Sequence, residues 1–278
     1  MRRDGRRTTM LGVAALGALL LVCLGATLVA PDATRTDLAS RLAGPSAAHW
    51  LGQDGLGRDV LARIALGARV SFAVAVAVVA VSLAVGVAVG STAGLAGGWT
   101  DLVIARAIDV VLAFPGLLLA IALAAVRGPS VANVILALSV LGWTAYARLT
   151  RSEVARIRHA PFVEAAHALG TGPLRLMLRH VLPLAAPALL VQTTFAVSGA
   201  IVAEASLSFL GLGVPPPVPS WGGMLDEGRQ FLLVAPHLVL APGIALAATV
   251  LALQLVGDGL RDWLDVRDGR QRSITAGG

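Results

Sequence analysis

The sequence contains no lysine; all 22 of its basic residues are arginine. A phosphate-binding loop of the G-x-x-x-x-G-K-[ST] type needs lysine to reach the β- and γ-phosphates. This chain cannot carry one, so any ATP hydrolysis it uses belongs to another chain. Cysteine is nearly absent too. The single residue, Cys23, lies in an apolar run, which excludes an internal disulfide and a cysteine-based zinc or iron–sulfur site. Charge is the third shortage. Only 14% of the 278 residues are charged, against about 25% in a soluble domain. With 56% hydrophobic residues and a mean hydropathy of +0.80, the chain lacks the polar groups to cover a water-soluble surface. Intrinsic disorder needs low hydrophobicity and high net charge, and is excluded by the same figures. The composition is that of a polytopic membrane protein. The net charge of +6 does not argue for nucleic acid, because most of the arginines flank apolar runs, where a membrane protein needs them.

A membrane-spanning helix takes about 20 mostly apolar residues at 1.5 Å per residue. Six stretches free of Asp, Glu and Arg meet or approach that length: Thr8–Pro31, Val70–Thr100, Val110–Val126, Gly128–Ala147, His180–Ala203 and Gln230–Gly257. They predict an all-α fold with six transmembrane helices. Asp109 bounds the third run, and Phe114-Pro115-Gly116 predicts a bend in it. The uncharged stretch Ala205–Leu225 is a poor helix candidate, because Pro215, Pro216, Pro217 and Pro219 remove backbone donors. With the N-terminus inside, fifteen arginines fall on inner segments and seven on outer ones, which predicts both termini on the cytoplasmic side. The start, MRRDGRR before an apolar run, also has the form of a signal peptide. That run exceeds the usual 7–15 residues, however, and Leu28-Val29-Ala30 is a poor cleavage site, so an uncleaved first helix is expected. The chain then divides into residues 1–66 (N-terminus, first helix and outer segment), a transmembrane core at 67–258, and a cytoplasmic tail at 259–278.

Gly86, Gly90, Gly94 and Gly98 recur every fourth residue in the second run. On a helix they form one stripe, and stripes of small residues let helix backbones approach closely in lipid. Glu204 closes the fifth run. A carboxylate at membrane depth is costly, and two readings stay open: a residue lining or gating a translocation pathway, or a helix-end carboxylate at the interface.

The longest inner segment runs from about 148 to 183. Within it Phe162–Leu169 has the pattern of a short amphipathic helix. It stops at Gly170-Thr171-Gly172-Pro173, and a second basic helix, Leu174–Val181, leads to Pro183 at the next membrane entry. Glu164-Ala165-Ala166, then Gly170, then His180-Val181-Leu182-Pro183 resembles the EAA loop of permeases from binding-protein-dependent ABC importers. Two further segments resemble one subfamily, the second permease of dipeptide, oligopeptide and nickel importers. One is His49–Arg63, with Gly52, Asp54, Gly57, Arg58 and Asp59; Gln53 stands where that pattern commonly has Thr. The other is Ala205–Gly213, followed by the proline run and Ser220-Trp221-Gly222. The likeness covers roughly residues 49–265.

The resemblance implies a type-I importer permease fold in the cytoplasmic membrane. It implies a loop at Glu164–Gly170 that docks as a coupling helix in a groove of a cytoplasmic ATPase. It also implies partners: a second permease, two ATPase domains that bind ATP and Mg, and an extracytoplasmic binding protein that delivers di- or oligopeptides or, alternatively, nickel. Ala165 and Ala166 are small enough for close approach, and Gly170 permits the turn back to the membrane. For Asp54, Arg58 and Asp59, contact with a partner and local folding of the outer loop both remain open. An ion-coupled secondary transporter predicts an inverted repeat and mid-helix acids, and neither stands out. A membrane-embedded enzyme is disfavoured because His49, His159, His167, His180 and His237 form no H-E-x-x-H pair. No catalytic or metal site and no cofactor of its own is expected in this chain.

Overall fold

A computed structural model describes residues 10–18 and 33–275. Most of the first apolar run, Thr8–Pro31, lies outside them. Within it residues 10–18 are helical (α1) and lie on the last helix, where a Cβ at Gly12 would meet the Ala252 carbonyl at 2.8 Å. The remaining helices are α2 (Val60–Ala96), α3 (Gly98–Ala113), α4 (Gly116–Arg127), α5 (Val131–Ile157) and α6 (Pro161–Ala168). They are followed by α7 (Pro173–Phe209), α8 (Trp221–Arg229) and α9 (His237–Thr275). Among the described residues there is no β-strand, only an isolated bridge between Gln53 and Asp59.

Among the described residues, four helices are long and apolar enough to cross a membrane: α2, α5, α7 and the His237–Leu264 part of α9. The third predicted run differs from a simple span. It is divided between α3 and α4, which meet at an angle of 79°. Pro115 is the cause, since its ring blocks the preceding turn and it has no N–H to donate. The fourth run continues as helix well past Ala147, to Ile157, so the first part of the predicted inner loop is helical. The fifth run continues beyond Ala203 to Phe209, so Glu204 does not end it.

Local chemistry sets these boundaries. The Asp59 carboxylate accepts from the Ala62 N–H (2.7 Å) and caps α2. The Ser130 hydroxyl accepts from the Asn133 N–H and caps α5. The Asn133 side-chain amide in turn donates to the Arg127 and Gly128 carbonyls, closing the α4–α5 turn. In α7, a π-helical turn at Met177–Val181 comes just before Pro183. The Leu182 N–H donates to the Met177 carbonyl, and this wider turn accommodates a position where the ordinary ladder loses a donor. The expected second inner helix is therefore the start of α7.

The packing of α2 against α5 organises the bundle. A Cβ at Gly86 would lie 2.4 Å from the Tyr146 Cβ, at Gly90 2.4 Å from the Ala147 carbonyl oxygen, and at Gly94 2.6 Å from the Val154 Cβ. These three glycines form the seam. Gly98 does not join it. The chain leaves α2 at Gly97 with φ of 61°, and Gly98, with φ of 52°, opens α3 with no atom within 4 Å of its Cβ position. The main core joins Val74, Val78, Tyr146, Ile201, Leu207 and Trp221. A second, smaller core of Val154, Ile157, Val163, Ala166, Leu176, Met177 and Val181 lies at the opposite end of α2 and α5. α2 has 37 residues and is about 55 Å long at 1.5 Å per residue, so the two ends of the bundle are far apart.

Candidate functional site

At one end, the segment before α2 folds into a tight knot. Gly52 and Gly57 have φ of 77° and 71°, a region that favours glycine. At Gly57 there is also no room, since a Cβ would sit 1.7 Å from the Asp37 carbonyl oxygen. The Asp54 N–H donates to the Arg58 carbonyl. One oxygen of the Asp54 carboxylate accepts from the N–H groups of Leu56 (2.8 Å) and Arg58 (3.0 Å), and the other from Arg58 Nε (2.7 Å) and from the Arg63 guanidinium. The Glu227 carboxylate, delivered by α8, accepts from Arg58 Nη2 (2.7 Å), Arg63 Nη1 (2.7 Å) and Arg63 Nη2 (3.1 Å). Two carboxylates and two guanidiniums thus tie the loop to a helix far along the chain. Asp59 stays apart from this cluster, capping α2 and pairing with His49 Nδ1 at 2.7 Å. Beside it, the Trp221 indole donates to the Ile64 carbonyl and meets Phe72 edge to face at 6.2 Å. Glu227 carries no local sequence signal; its role is visible only in the fold. The cluster borders a cavity of about 400 Å3, also lined by Arg41 and Phe231.

Burial pushes the Asp54 carboxyl up. The Arg58 and Leu56 N–H groups and the Arg63 and Arg58 guanidiniums more than offset this and hold it below the ordinary aspartate value of 3.8. As the pH falls, the unfolded chain takes up this proton first. Ionised Asp54 therefore contributes stability that is complete above the ordinary value and is lost as the pH falls through the lowered one. Thermal unfolding of the purified chain in detergent should show a Tm that drops below about pH 4, with Asp54→Asn losing part of that drop. Identical pH profiles for the two chains would remove Asp54 from this account.

At the opposite end, α6 is a two-turn helix resting on the smaller core. Val163 and Ala166 face that core and are buried, whereas Glu164 and Ala165 are exposed. The close approach that Ala166 permits is therefore to the chain's own α5 and α7. Around Glu164 and Ala165, Phe162 is 44% exposed and Leu169 87%, an apolar surface interrupted by one acid. Gly170, with φ of 78°, ends the helix. The Thr171 N–H donates to the Ala166 carbonyl and the Leu169 N–H to the Ala165 carbonyl, which satisfies the last turn. Pro183 lies exposed in α7 beyond the π turn. The end is also fixed by Arg151, which pairs with Asp101 (Nη2 to Oδ2, 2.7 Å), and by Arg158, which donates to the Gly94 carbonyl at 3.2 Å.

Glu204 joins neither end. It is 0% exposed, in α7, and accepts from the Ser71 hydroxyl of α2 (2.9 Å) and the Ser208 hydroxyl (2.7 Å). The Ser208 oxygen in turn accepts from the Val214 N–H at 3.3 Å. The carboxylate links α2, α7 and the start of the proline loop.

Residues 86–267 match the family described as binding-protein-dependent transport system inner membrane component. The chain is 43% identical over 267 residues to the glutathione transport system permease protein GsiD of Shigella flexneri, covering 95% of this chain and 88% of that protein. It is 44% identical over 222 residues to the GsiD of Pectobacterium atrosepticum, covering 80% of this chain and 74% of that one.

Proposed function

Because this chain belongs to the family of binding-protein-dependent transport system inner membrane components, and is thus a membrane-embedded permease subunit of an ABC importer rather than an enzyme, we propose that its cargo is a short peptide or peptide-like molecule. Glutathione, named for its relatives, is a compound of this class. In this reading both termini, α6 and the smaller core face the cytoplasm, and the first apolar run supplies a sixth span. The Asp54–Arg58–Arg63–Glu227 cluster then faces outward, where an extracytoplasmic binding protein arrives.

The observation that carries the mechanism is α6. It is a short helix held against its own small core, with Glu164, Ala165, Phe162 and Leu169 turned outward. Such a surface suits insertion into a groove of a separate ATPase, the apolar side chains filling it and Glu164 meeting an arginine of the partner. Two ATPase domains bind ATP and Mg, and their closure pushes on α6. The rigid seat of α6 on α5 and α7 passes that push to the spans. A second permease completes the pathway across the membrane.

Purifying the tagged chain in mild detergent tests the assembly. A second permease and ATP-binding subunits are expected to remain bound. Vesicles loaded with ATP and supplied with the binding protein should accumulate labelled short peptides. A chain that purifies alone and transports on an ion gradient would overturn the reading.

A further inference from the structure

Polar contacts, more than packing, hold α3 in the bundle. The helix runs between two breaks. Gly97 and Gly98, with φ of 61° and 52°, divide it from α2, and beyond Pro115 it meets α4 at 79°. Of its 16 residues it buries only Ile108, so apolar burial gives it little hold. Among the described residues, its ion pairs to other helices both lead to α5. Arg151 donates through Nε and Nη2 to the two oxygens of the Asp101 carboxylate, the second at 2.7 Å. Asp109 makes the looser contact, 3.5 Å from Arg148 Nη2, with both side chains more than half exposed.

Arg151 is itself firmly seated. Its backbone belongs to the seam between α2 and α5, where a Cβ at Gly90 would lie 3.0 Å from its nitrogen and one at Gly94 3.0 Å from its carbonyl oxygen. Two turns further, Arg158 ends α5 and donates to the Gly94 carbonyl near the end of α2. Val154 and Ile157, between them, pack with Val163 and Ala166 of α6. One short stretch of α5 thus meets the end of α2, the start of α3 and the helix α6. The Asp101–Arg151 pair adds little to folding, because its side chains are 27% and 35% exposed and ion pairs open to water are weak. A two-bond fork between guanidinium and carboxylate does, however, fix the orientation of its partners.

We propose that Asp101 and Arg151 are positioning residues of the transport cycle: through their fork α3 follows α5 when α6 is pushed, and the movement reaches α4 across the Pro115 bend. The inference rests on α6 being the ATPase contact, as argued above. Without the fork, α5 still moves with α6 and α2, while α3 is left behind on its glycine hinge.

Whole importers are reconstituted with the parent chain, Asp101→Asn, Arg151→Gln, the double variant and Glu153→Gln. Glu153 pairs with Arg156 inside α5, so its variant removes a charge from the same stretch without touching α3. ATP hydrolysis is measured with and without the binding protein purified with its cargo, and copurified ATPase reports assembly. Both single variants are expected to keep the ATPase and its basal hydrolysis. Their stimulation by the binding protein is expected to fall about fivefold or more, the low end of coupling between two sites. The double variant should lose no more than either single one, because both remove the same contact, and Glu153→Gln should match the parent. Full stimulation in the single variants, or losses that multiply in the double one, would overturn the proposal. So would an equal loss in Glu153→Gln, which traces the effect to charge alone, or a basal rate that falls with the stimulation, which reduces the fork to a structural contact. A parent importer that binds no ATPase, or shows no stimulation, refutes the α6 reading itself, and with it this one.

Discussion

Glu164→Arg and Gly170→Pro should each abolish uptake in cells, by at least about a hundredfold, while the chain still reaches the membrane. The Glu164 side chain is exposed, so reversing its charge removes no internal contact. The variant loses only the favourable placement of an acid in the first turn of a helix, worth about 0.3–1 kcal/mol. Against an arginine in the partner groove the same change sets like charges together, which costs several kcal/mol; at 1.4 kcal/mol per factor of ten this accounts for the expected loss. Gly170 fails for a different reason. Its φ of 78° is closed to proline, which is locked near −65°, so the exit of α6 cannot form. Gly170→Ala is the graded control, costing about 1–2 kcal/mol in the left-handed region. Copurification of the ATPase with each variant, alongside membrane content, is the deciding measurement. A Glu164→Arg chain that retains its ATPase and full uptake would end the docking account.

Gly90→Val should prevent the bundle from forming. A Cβ at Gly90 falls 2.4 Å from the Ala147 carbonyl oxygen and 2.8 Å from the Thr150 Cβ. One of these atoms is backbone, so α2 and α5 must separate along their seam. Overpacking of a well-packed core costs about 1–3 kcal/mol where side chains yield, and here the backbone must yield. That is a large share of a total stability of about 5–15 kcal/mol. The expected result is loss of the monodisperse peak in detergent size-exclusion and of membrane-inserted protein. Gly199→Ala, at an open helical position, should be neutral or slightly stabilising, by up to about 1 kcal/mol. A Gly90→Val chain as stable as the parent would show that the seam can open.

Much of this was legible in the chain because it is written locally. The glycines at 86, 90 and 94 announce a close helix contact by their spacing, and Pro115 announces the bend. The Glu164–Gly170 pattern marks a short helix with a glycine stop. Where the sequence reading went astray, the missing information was tertiary. Gly98 keeps the period of the stripe but lies beyond a chain break at Gly97, and periodicity alone does not reveal where a helix ends. Ala166 looks equivalent to Ala165, yet one turns toward Val154 and Leu176 and the other toward solvent. Glu227 sits in a short polar helix with no motif of its own. Its partners, Arg58 and Arg63, are 169 and 164 residues away, and no local pattern encodes such a pairing. Glu204 was recognisable as an acid at membrane depth, but its two hydroxyl partners come from separate turns and helices.

The separation of Glu227 from its arginines also sets a timetable for the newborn chain. Synthesis proceeds at about 5–20 residues per second, so roughly ten to thirty seconds pass between the making of Arg63 and of Glu227. Throughout that interval Asp54 is the only carboxylate of this cluster that has been made. The Trp221 contact to Ile64, spanning 157 residues, waits almost as long. Closure of this end of the bundle is thus a late event in biogenesis, after α2, α5 and α7 have been made. A chain truncated before α8 would lack Glu227 and leave Asp54 as the one carboxylate of this cluster for both the Arg58 and the Arg63 guanidinium.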